Sequence, residues 1–314
     1  MEEVPGEDPD YDAVVPRHFL TGAEITSDEL ERILDRALEL KADRYASRAL
    51  DRRTVALIFE KPSTRTRVSM EVAVAQLGGT PLVLRESETQ LSRGESLQDF
   101  ALVLSRYVDA IAVRTAPHET LETLAEHASV PVINLLTAKY HPCQVLADLL
   151  TLRERFGELR GLKLAYIGDG NNMANSLMLL GALAGLEVVV ATPAELQPDL
   201  ELAASLNGNV RLTSDPAEAA AGAHALYTDV WVSMGDDESA AERRRTLLAP
   251  YQLDAALLGR ARDEAIALHC LPAHPGEEIA GDVLYGPRSA VWDQAENRLH
   301  AQKALLEHLI PPAG

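Results

Sequence analysis

Short apolar runs alternate with amphipathic segments along nearly the whole chain, and this alternation restricts the fold more than any other feature. Residues 54–59, 81–84, 109–113, 131–134, 162–167, 187–191, 224–228 and 265–268 are brief and apolar, the pattern of buried strands. Between them, residues 68–77, 95–106, 118–127, 142–156, 173–185 and 217–221 carry apolar side chains at helical spacing. A capping box at Thr26 and Glu29 opens a helix that runs to about Lys41, and Asp293 begins a long helix near the other end. Strands joined through helices return parallel, so the expected fold is α/β: two doubly wound domains, each a mostly parallel sheet flanked by helices, joined by long interdomain helices. A chain of 314 residues suits two domains, and the composition turns over at 157–161. The expected division is 1–142, completed by the C-terminal helix 293–314; an interdomain helix at 143–157; and a second domain at 158–292.

Within that frame, chemistry concentrates where strands end. Ser63, Thr64, Arg65, Thr66 and Arg67 follow the strand at 54–59 and open the next helix. Helix N-termini offer unpaired N–H groups and the positive end of the macrodipole, so a phosphate there would meet amides, hydroxyls and a guanidinium together. Arg114 ends the strand at 109–113, at the carboxyl edge where open α/β sheets bind ligands. His141 and Gln144, three residues apart, flank Pro142 at the start of another helix and point the same way. The polar loop 85–94, with Gln90 and Arg93, is either surface or a mobile binding loop. The charged stretch 236–245 suits a solvated helix, and 253–258 a helical turn.

In the second half the turn Gly168 to Asn172 is similar to a dinucleotide-binding glycine turn, but the strand at 187–191 ends in Thr192 and Pro193, without the acid that would hold a ribose. A nicotinamide cofactor is therefore disfavoured, and the adjacent asparagines point to a polar small molecule. Asp229 at a strand end suits an ammonium group, and the backbone near Met234 suits a carboxylate. Cys270, beside His269 at the end of the last strand, is a candidate reactive or polarising thiol.

Taken in order, Ser63 to Arg67, His141 to Gln144, Gly168 to Asn172, Asp229 with Ser233 to Gly235, His269 to Pro272 and Ala295 to Arg298 resemble the motifs of the aspartate/ornithine carbamoyltransferase family, across nearly the whole chain. The resemblance implies that 1–142 binds carbamoyl phosphate and 158–292 binds L-ornithine, whose side-chain amine takes the carbamoyl group to give L-citrulline and phosphate. It implies that Ser63, Thr64, Arg65, Thr66 and Arg114 hold the phosphate, while His141 and Gln144 orient the carbamoyl group with Arg298 nearby. Gln90 matches a residue that the family lends to the adjoining subunit, which implies a homotrimer or a multiple of trimers. Asn172, Asp229, Ser233 and Met234 would bind the amino-acid end of ornithine, with Cys270 and the Leu271 carbonyl at the reacting centre. Arg65, Arg114, His141 and Cys270 would be the catalytic set. No metal or cofactor is implied. Pro275 and Leu268 stand where many relatives carry arginine and methionine, outside the chemistry. Alternatives are a carbamoyltransferase for another amine, such as putrescine or a modified ornithine, and a non-catalytic binding protein on the same fold.

Composition limits the partners. A net charge of −19 supplies no basic field for nucleic acid or an anionic membrane, and no apolar run approaches the roughly 20 residues of a membrane span. The acidic first twelve residues lack the basic start and apolar core of a signal peptide, so a cytoplasmic location is expected. Cys143 and Cys270 are the only cysteines, which excludes a disulfide framework. The basic residues are 24 Arg and 5 Lys; a lysine-poor, acidic surface fits either concentrated salt or GC-rich coding. The two separate in one measurement. Salt adaptation makes the unfolding midpoint climb steeply with molar KCl, whereas coding bias leaves it flat.

Overall fold

The computed structural model describes residues 16–206, 208–232 and 238–310. The chain runs α1 (Ser27–Ala42), β1 (Thr54–Phe59), α2 (Thr64–Gln76), β2 (Thr80–Arg85), α3 (Leu97–Leu104), β3 (Ala110–Arg114), α4 (His118–His127), β4 (Val132–Leu136) and α5 (Pro142–Phe156). It continues through β5 (Lys163–Ile167), α6 (Asn172–Leu183), β6 (Glu187–Ala191), α7 (Leu200–Ser205), β7 (Val210–Thr213), α8 (Pro216–Ala220) and β8 (Ala225–Thr228). The last elements are α9 (Glu238–Leu248), α10 (Ala255–Leu258), β9 (Ile266–His269), α11 (Gly281–Leu284) and α12 (Val291–Leu309). Two sheets form, ordered β2-β1-β3-β4 and β7-β6-β5-β8-β9, and every strand pairing within them is parallel. This is the α/β architecture that the alternating pattern predicts.

Sheet order determines where ligands can enter. In the first sheet the winding reverses between β1 and β3, and in the second between β5 and β8. A crevice opens at the carboxyl ends of such strand pairs because their connections leave to opposite faces. Ser63 to Thr66 and Arg114 follow the first pair; Asn171, Asn172 and Asp229 follow the second.

Several elements were not anticipated. β7 offers only Val210 and Leu212 as apolar positions and is half-buried at the sheet edge, too little for a recognisable strand. α7 and α11 are single turns of six and four residues. The polar loop holds two 3-10 turns, Glu86–Glu88 and Gln90–Arg93, and α12 starts at Val291 rather than Asp293.

One continuous core joins the sheets. Leu57 of β1, Leu146, Leu149 and Leu150 of α5, Leu305 and Leu306 of α12 and Tyr166 of β5 belong to a single buried cluster. The helical joint also buries polar groups, several of them paired across it: Asn297 Nδ2 donates to Thr151 Oγ1 (2.9 Å) and Glu154 Oε2 (2.6 Å), while Gln294 Nε2 donates to Asp148 Oδ1 (2.7 Å). Three hydrogen bonds pin the loop after β4 onto α6: Asn172 Nδ2 to Thr137 O (2.7 Å), Asn175 Nδ2 to Lys139 O (3.1 Å) and the His141 N–H to Ser176 Oγ (2.7 Å).

Asp148 is fully buried. Desolvation pushes its carboxyl up to about 7, opposed by hydrogen bonds from Gln144 and Gln294 and by the charge of Arg298. The folded chain thus holds this proton more tightly than the unfolded chain does. The resulting stabilisation is complete below about pH 4 and is lost as the pH rises through about 7, at about 1.4 kcal/mol per unit. Asp148→Asn removes that dependence. Its stability relative to the parent is expected to rise from pH 5 to 7 and level off above, in urea unfolding at fixed ionic strength; parallel pH profiles would show that Asp148 does not titrate in this range.

Candidate active site

The cradle is built by three elements. β1 ends at Phe59, and Ser63 takes the N-cap position of α2 in extended geometry without a side-chain cap bond. The first helical bond is Arg67 N–H to Ser63 O (3.1 Å), so the amides of Thr64, Arg65 and Thr66 have no acceptor within the helix. β3 delivers Arg114. Glu60 fixes the backbone around it, donating its N–H to Arg114 O (3.0 Å) and accepting from Thr115 Oγ1 (2.9 Å) and the Ala116 N–H (2.6 Å). α12 supplies Arg298, which donates to Thr66 Oγ1 (2.5 Å) and Gln144 Oε1 (2.6 Å), and Arg114 reaches the same Thr66 hydroxyl at 3.4 Å.

Arg65, Arg114 and Arg298 therefore concentrate positive charge, and among the described residues no carboxylate hydrogen-bonds any of them. Burial, then the charges of Arg298 and Arg65, bring the Arg114 guanidinium down to about 10. Arg298 is lowered as well, chiefly by burial. An anion would relieve this repulsion. Arg67 differs: it turns to the exposed face of α2 and pairs with Glu71 at 2.7 Å.

His141 sits at the N-cap of α5 with its ring buried and Nδ1 without a protein partner. Burial, reinforced by Arg298 and Arg114, keeps the imidazole neutral well below the usual histidine range. A neutral ring can donate an N–H hydrogen bond to a carbonyl oxygen without carrying charge. Cys143 faces inward and bonds the Asn134 carbonyl (3.2 Å), with its thiol pushed up to about 12 by burial. Gln90 is exposed on its 3-10 turn, where its carbonyl accepts from Arg93 (3.4 Å); it makes no hydrogen bond to the cradle of its own chain.

Across the joint, the second sheet presents acceptors. Asp229 follows β8; Oδ2 accepts from Asn171 Nδ2 (2.8 Å), and Oδ1 from the Cys270 thiol (2.7 Å) and the Val230 N–H (2.8 Å). Asn171 is held by Tyr166, whose hydroxyl bonds its Oδ1 at 3.1 Å. Burial and the neighbouring Asp229 charge push the Cys270 thiol well above its ordinary value. Of the two roles considered for Cys270, reactive or polarising, a thiol that donates a hydrogen bond to Asp229 fits the polarising one. Leu271 has φ +60°, in the left-handed region that a leucine rarely adopts, and its N–H donates to His269 Nδ1 (2.8 Å). His269 Nε2 meets the buried Glu278 at 3.1 Å. Asp229, His269 and Cys270 bring ligand-type atoms within 4.8 Å of one another, yet both ring nitrogens of His269 are engaged, so a cation would displace one of these bonds. Gly170 is demanded by packing, since a Cβ would fall 2.2 Å from Pro198 N. Ser233 and Met234 lie outside the described residues.

The structure thus gathers Ser63, Thr64, Arg65, Thr66, Arg114, His141, Gln144 and Arg298 at one sheet's carboxyl edge, and Asn172, Asp229, Cys270 and Leu271 at the other's. It also shows supporting residues that sequence reasoning missed: Glu60, Thr137, Asp148, Ser176 and Gln294. Asp148 carried a usable signal, an acid four residues after Gln144 on the leucine-rich face of a helix.

Two family models cover the chain: the carbamoyl-phosphate-binding domain of aspartate/ornithine carbamoyltransferase matches residues 17–154, and its Asp/Orn-binding domain matches residues 160–309. The ornithine carbamoyltransferase of Acidothermus cellulolyticus is 55% identical over 306 residues, covering 95% of this chain and 98% of that one. The solved ornithine carbamoyltransferase of Pyrococcus furiosus superposes with a TM-score of 0.89 at 47% identity, covering 95% and 98% of the two chains. The Thermus thermophilus structure gives 0.87 at 47% identity, covering 95% and 100%. Architecture, strand-end residues and similarity along both halves agree, and the chain belongs to the aspartate/ornithine carbamoyltransferase family.

Proposed function

We propose that the protein transfers the carbamoyl group of carbamoyl phosphate to the side-chain amine of L-ornithine, giving L-citrulline and phosphate. One observation carries the donor half: Arg65, Arg114 and Arg298 converge beside the unpaired amides of α2 with no hydrogen-bonded carboxylate among the described residues. In this reading Ser63, Thr64, Arg65, Thr66 and Arg114 hold the phosphate. His141, Gln144 and Arg298 hold the carbamoyl group, and Gln90 serves the site of a neighbouring copy in a trimer or a multiple of trimers. For the acceptor, Asn172 has given its amide nitrogen to Thr137, which leaves its carbonyl oxygen for the ammonium end of the amino acid. Asp229 completes that pocket together with Ser233 and Met234.

The chemistry follows from these placements. The reacting amine must be neutral, because an ammonium has no lone pair. Its nitrogen attacks the carbonyl carbon, the bond from that carbon to the phosphate oxygen breaks, and the departing phosphate takes the amine proton. Negative charge grows on the former carbonyl oxygen, where Arg114, Thr66 and neutral His141 stand as preorganised donors. Cys270, held protonated by Asp229, and the Leu271 carbonyl steer the amine. A different acceptor such as putrescine lacks the α-carboxylate of ornithine, and relatives at about half identity bear the ornithine name.

Citrulline formation from ornithine and carbamoyl phosphate is the direct test, with putrescine, aspartate and acetylornithine run alongside; brisk turnover of another amine without citrulline would overturn the acceptor. Arg65→Ala is expected to lower kcat/KM for carbamoyl phosphate by roughly 10²- to 10³-fold, and an unchanged value would remove Arg65 from the cradle. The thiol assignment has its own check. Iodoacetamide should label Cys270 slowly at pH 7, and Asp229→Asn, which removes the charge that suppresses the thiolate, should label faster.

A further inference from the structure

A glutamine amide has one accepting end and one donating end, and the two glutamines at the joint both face partners that can only donate. Gln144 Oε1 receives Arg298 Nη1 (2.6 Å), and Gln294 Oε1 receives the His269 N–H (2.9 Å). Each must therefore turn its NH₂ to an acceptor on the other side. Asp148 Oδ1 is that acceptor for both, at 2.8 Å from Gln144 and 2.7 Å from Gln294. The hydrogen bonds run inward from both halves: Arg298 to Gln144 to Asp148, and His269 to Gln294 to Asp148. One end of this chain touches Thr66 of the cradle through Arg298 (2.5 Å), and the other fixes the residue before Cys270.

We propose that Asp148 is a positioning residue for the transfer, the shared acceptor that sets both amides and so holds the carbamoyl-phosphate side and the Cys270 side in register. It touches neither substrate. Without an acceptor at 148 either amide can rotate, and a rotated Gln144 presents NH₂ to the Arg298 guanidinium, donor against donor. The charged or titratable groups acting on Asp148 are Arg298 of α12, Tyr227 of β8 and Cys270 after β9. Burial raises both the Tyr227 hydroxyl and the Cys270 thiol, so Arg298 is the charged member. The inference deepens the carbamoyl transfer proposed above and rests on it.

The test compares full-length wild type, Asp148→Leu, Asp148→Asn and Gln294→Met in steady-state citrulline formation, with calorimetric titration of carbamoyl phosphate in the absence of ornithine. Asp148→Leu removes the acceptor and should lower kcat about 100-fold and raise KM for both substrates, with carbamoyl phosphate bound at least tenfold more weakly. Asn keeps an accepting oxygen and should recover most of that loss, to within about tenfold of wild type. Gln294→Met breaks only the Cys270 branch, so it should change kcat and the ornithine KM while carbamoyl phosphate binding stays within twofold. A structural role alone predicts fewer active molecules with both KM values unchanged, and that result, or an Asn variant as impaired as Leu, overturns the proposal. Should Asp148→Leu not fold, an unaltered ornithine KM and kcat in Gln294→Met overturns it. A wild type that makes no citrulline ends the acceptor assignment instead, and carbamoyl phosphate binding then decides Asp148: tenfold weaker in Leu with recovery in Asn supports it, and equal binding in all three refutes it.

Discussion

Two parallel sheets can face their carboxyl edges toward each other only if something rigid spans the gap, and here that span is the packing of α5 against α12. Its apolar side chains provide cohesion, while its buried polar groups provide register. An unsatisfied buried amide costs about 1 to 3 kcal/mol, so the arrangement in which Asp148 Oδ1, the Gln144 and Gln294 amides and Arg298 Nη1 find partners is preferred over neighbouring ones shifted by a turn. Hydrophobic packing alone would tolerate such slippage. The directional bonds make the joint a ruler for the cleft.

The cradle depends on the opposite tactic, leaving charge uncompensated. Three guanidiniums near one another repel without a ligand, and this repulsion adds to burial in lowering Arg114 and Arg298. Thr66 sits at the centre, its hydroxyl oxygen accepting from Arg298 and approached by Arg114. It orders the two arginines without neutralising them, which an aspartate there would do. In the proposed reading a phosphate would meet groups already arranged, with little reorganisation left to perform.

Much of this was legible in the sequence for physical reasons that can be named. Strands β1, β3, β5, β6, β8 and β9 are buried on both faces and so appear as unbroken apolar runs, whereas edge strand β7 is four residues long with only Val210 and Leu212 apolar and leaves no such trace. Site residues were visible where they cluster locally, as in Ser63 to Thr66, or where a single polar residue ends an apolar run, as with Arg114 and Asp229. The supporting network was not, because its contacts join residues about 150 positions apart: Arg298 with Gln144, Gln294 with Asp148. Periodicity says which face of α5 is buried but not that α12 will lie on it. Arg67 shows the converse error. Its neighbours placed it in the cradle by sequence, while the helical turn of 100° per residue directs it outward to Glu71, four positions on.

The two halves of the site also differ in polarity, and that difference suits an attack by a neutral amine. On the donor side every prominent group gives hydrogen bonds: amides of α2, three guanidiniums and a histidine kept uncharged by burial and, secondarily, by the arginines around it. On the acceptor side Asp229 receives three hydrogen bonds, one from the protonated Cys270 thiol. A field running from the positive cradle to Asp229 disfavours a cation near the carbonyl carbon and favours one near the carboxylate. A diamino acid lying along it would keep its α-ammonium toward Asp229 and Asn172 and shed the proton from its far nitrogen first. In the transfer proposed above, this difference in polarity would orient the acceptor and favour the protonation state in which it can react.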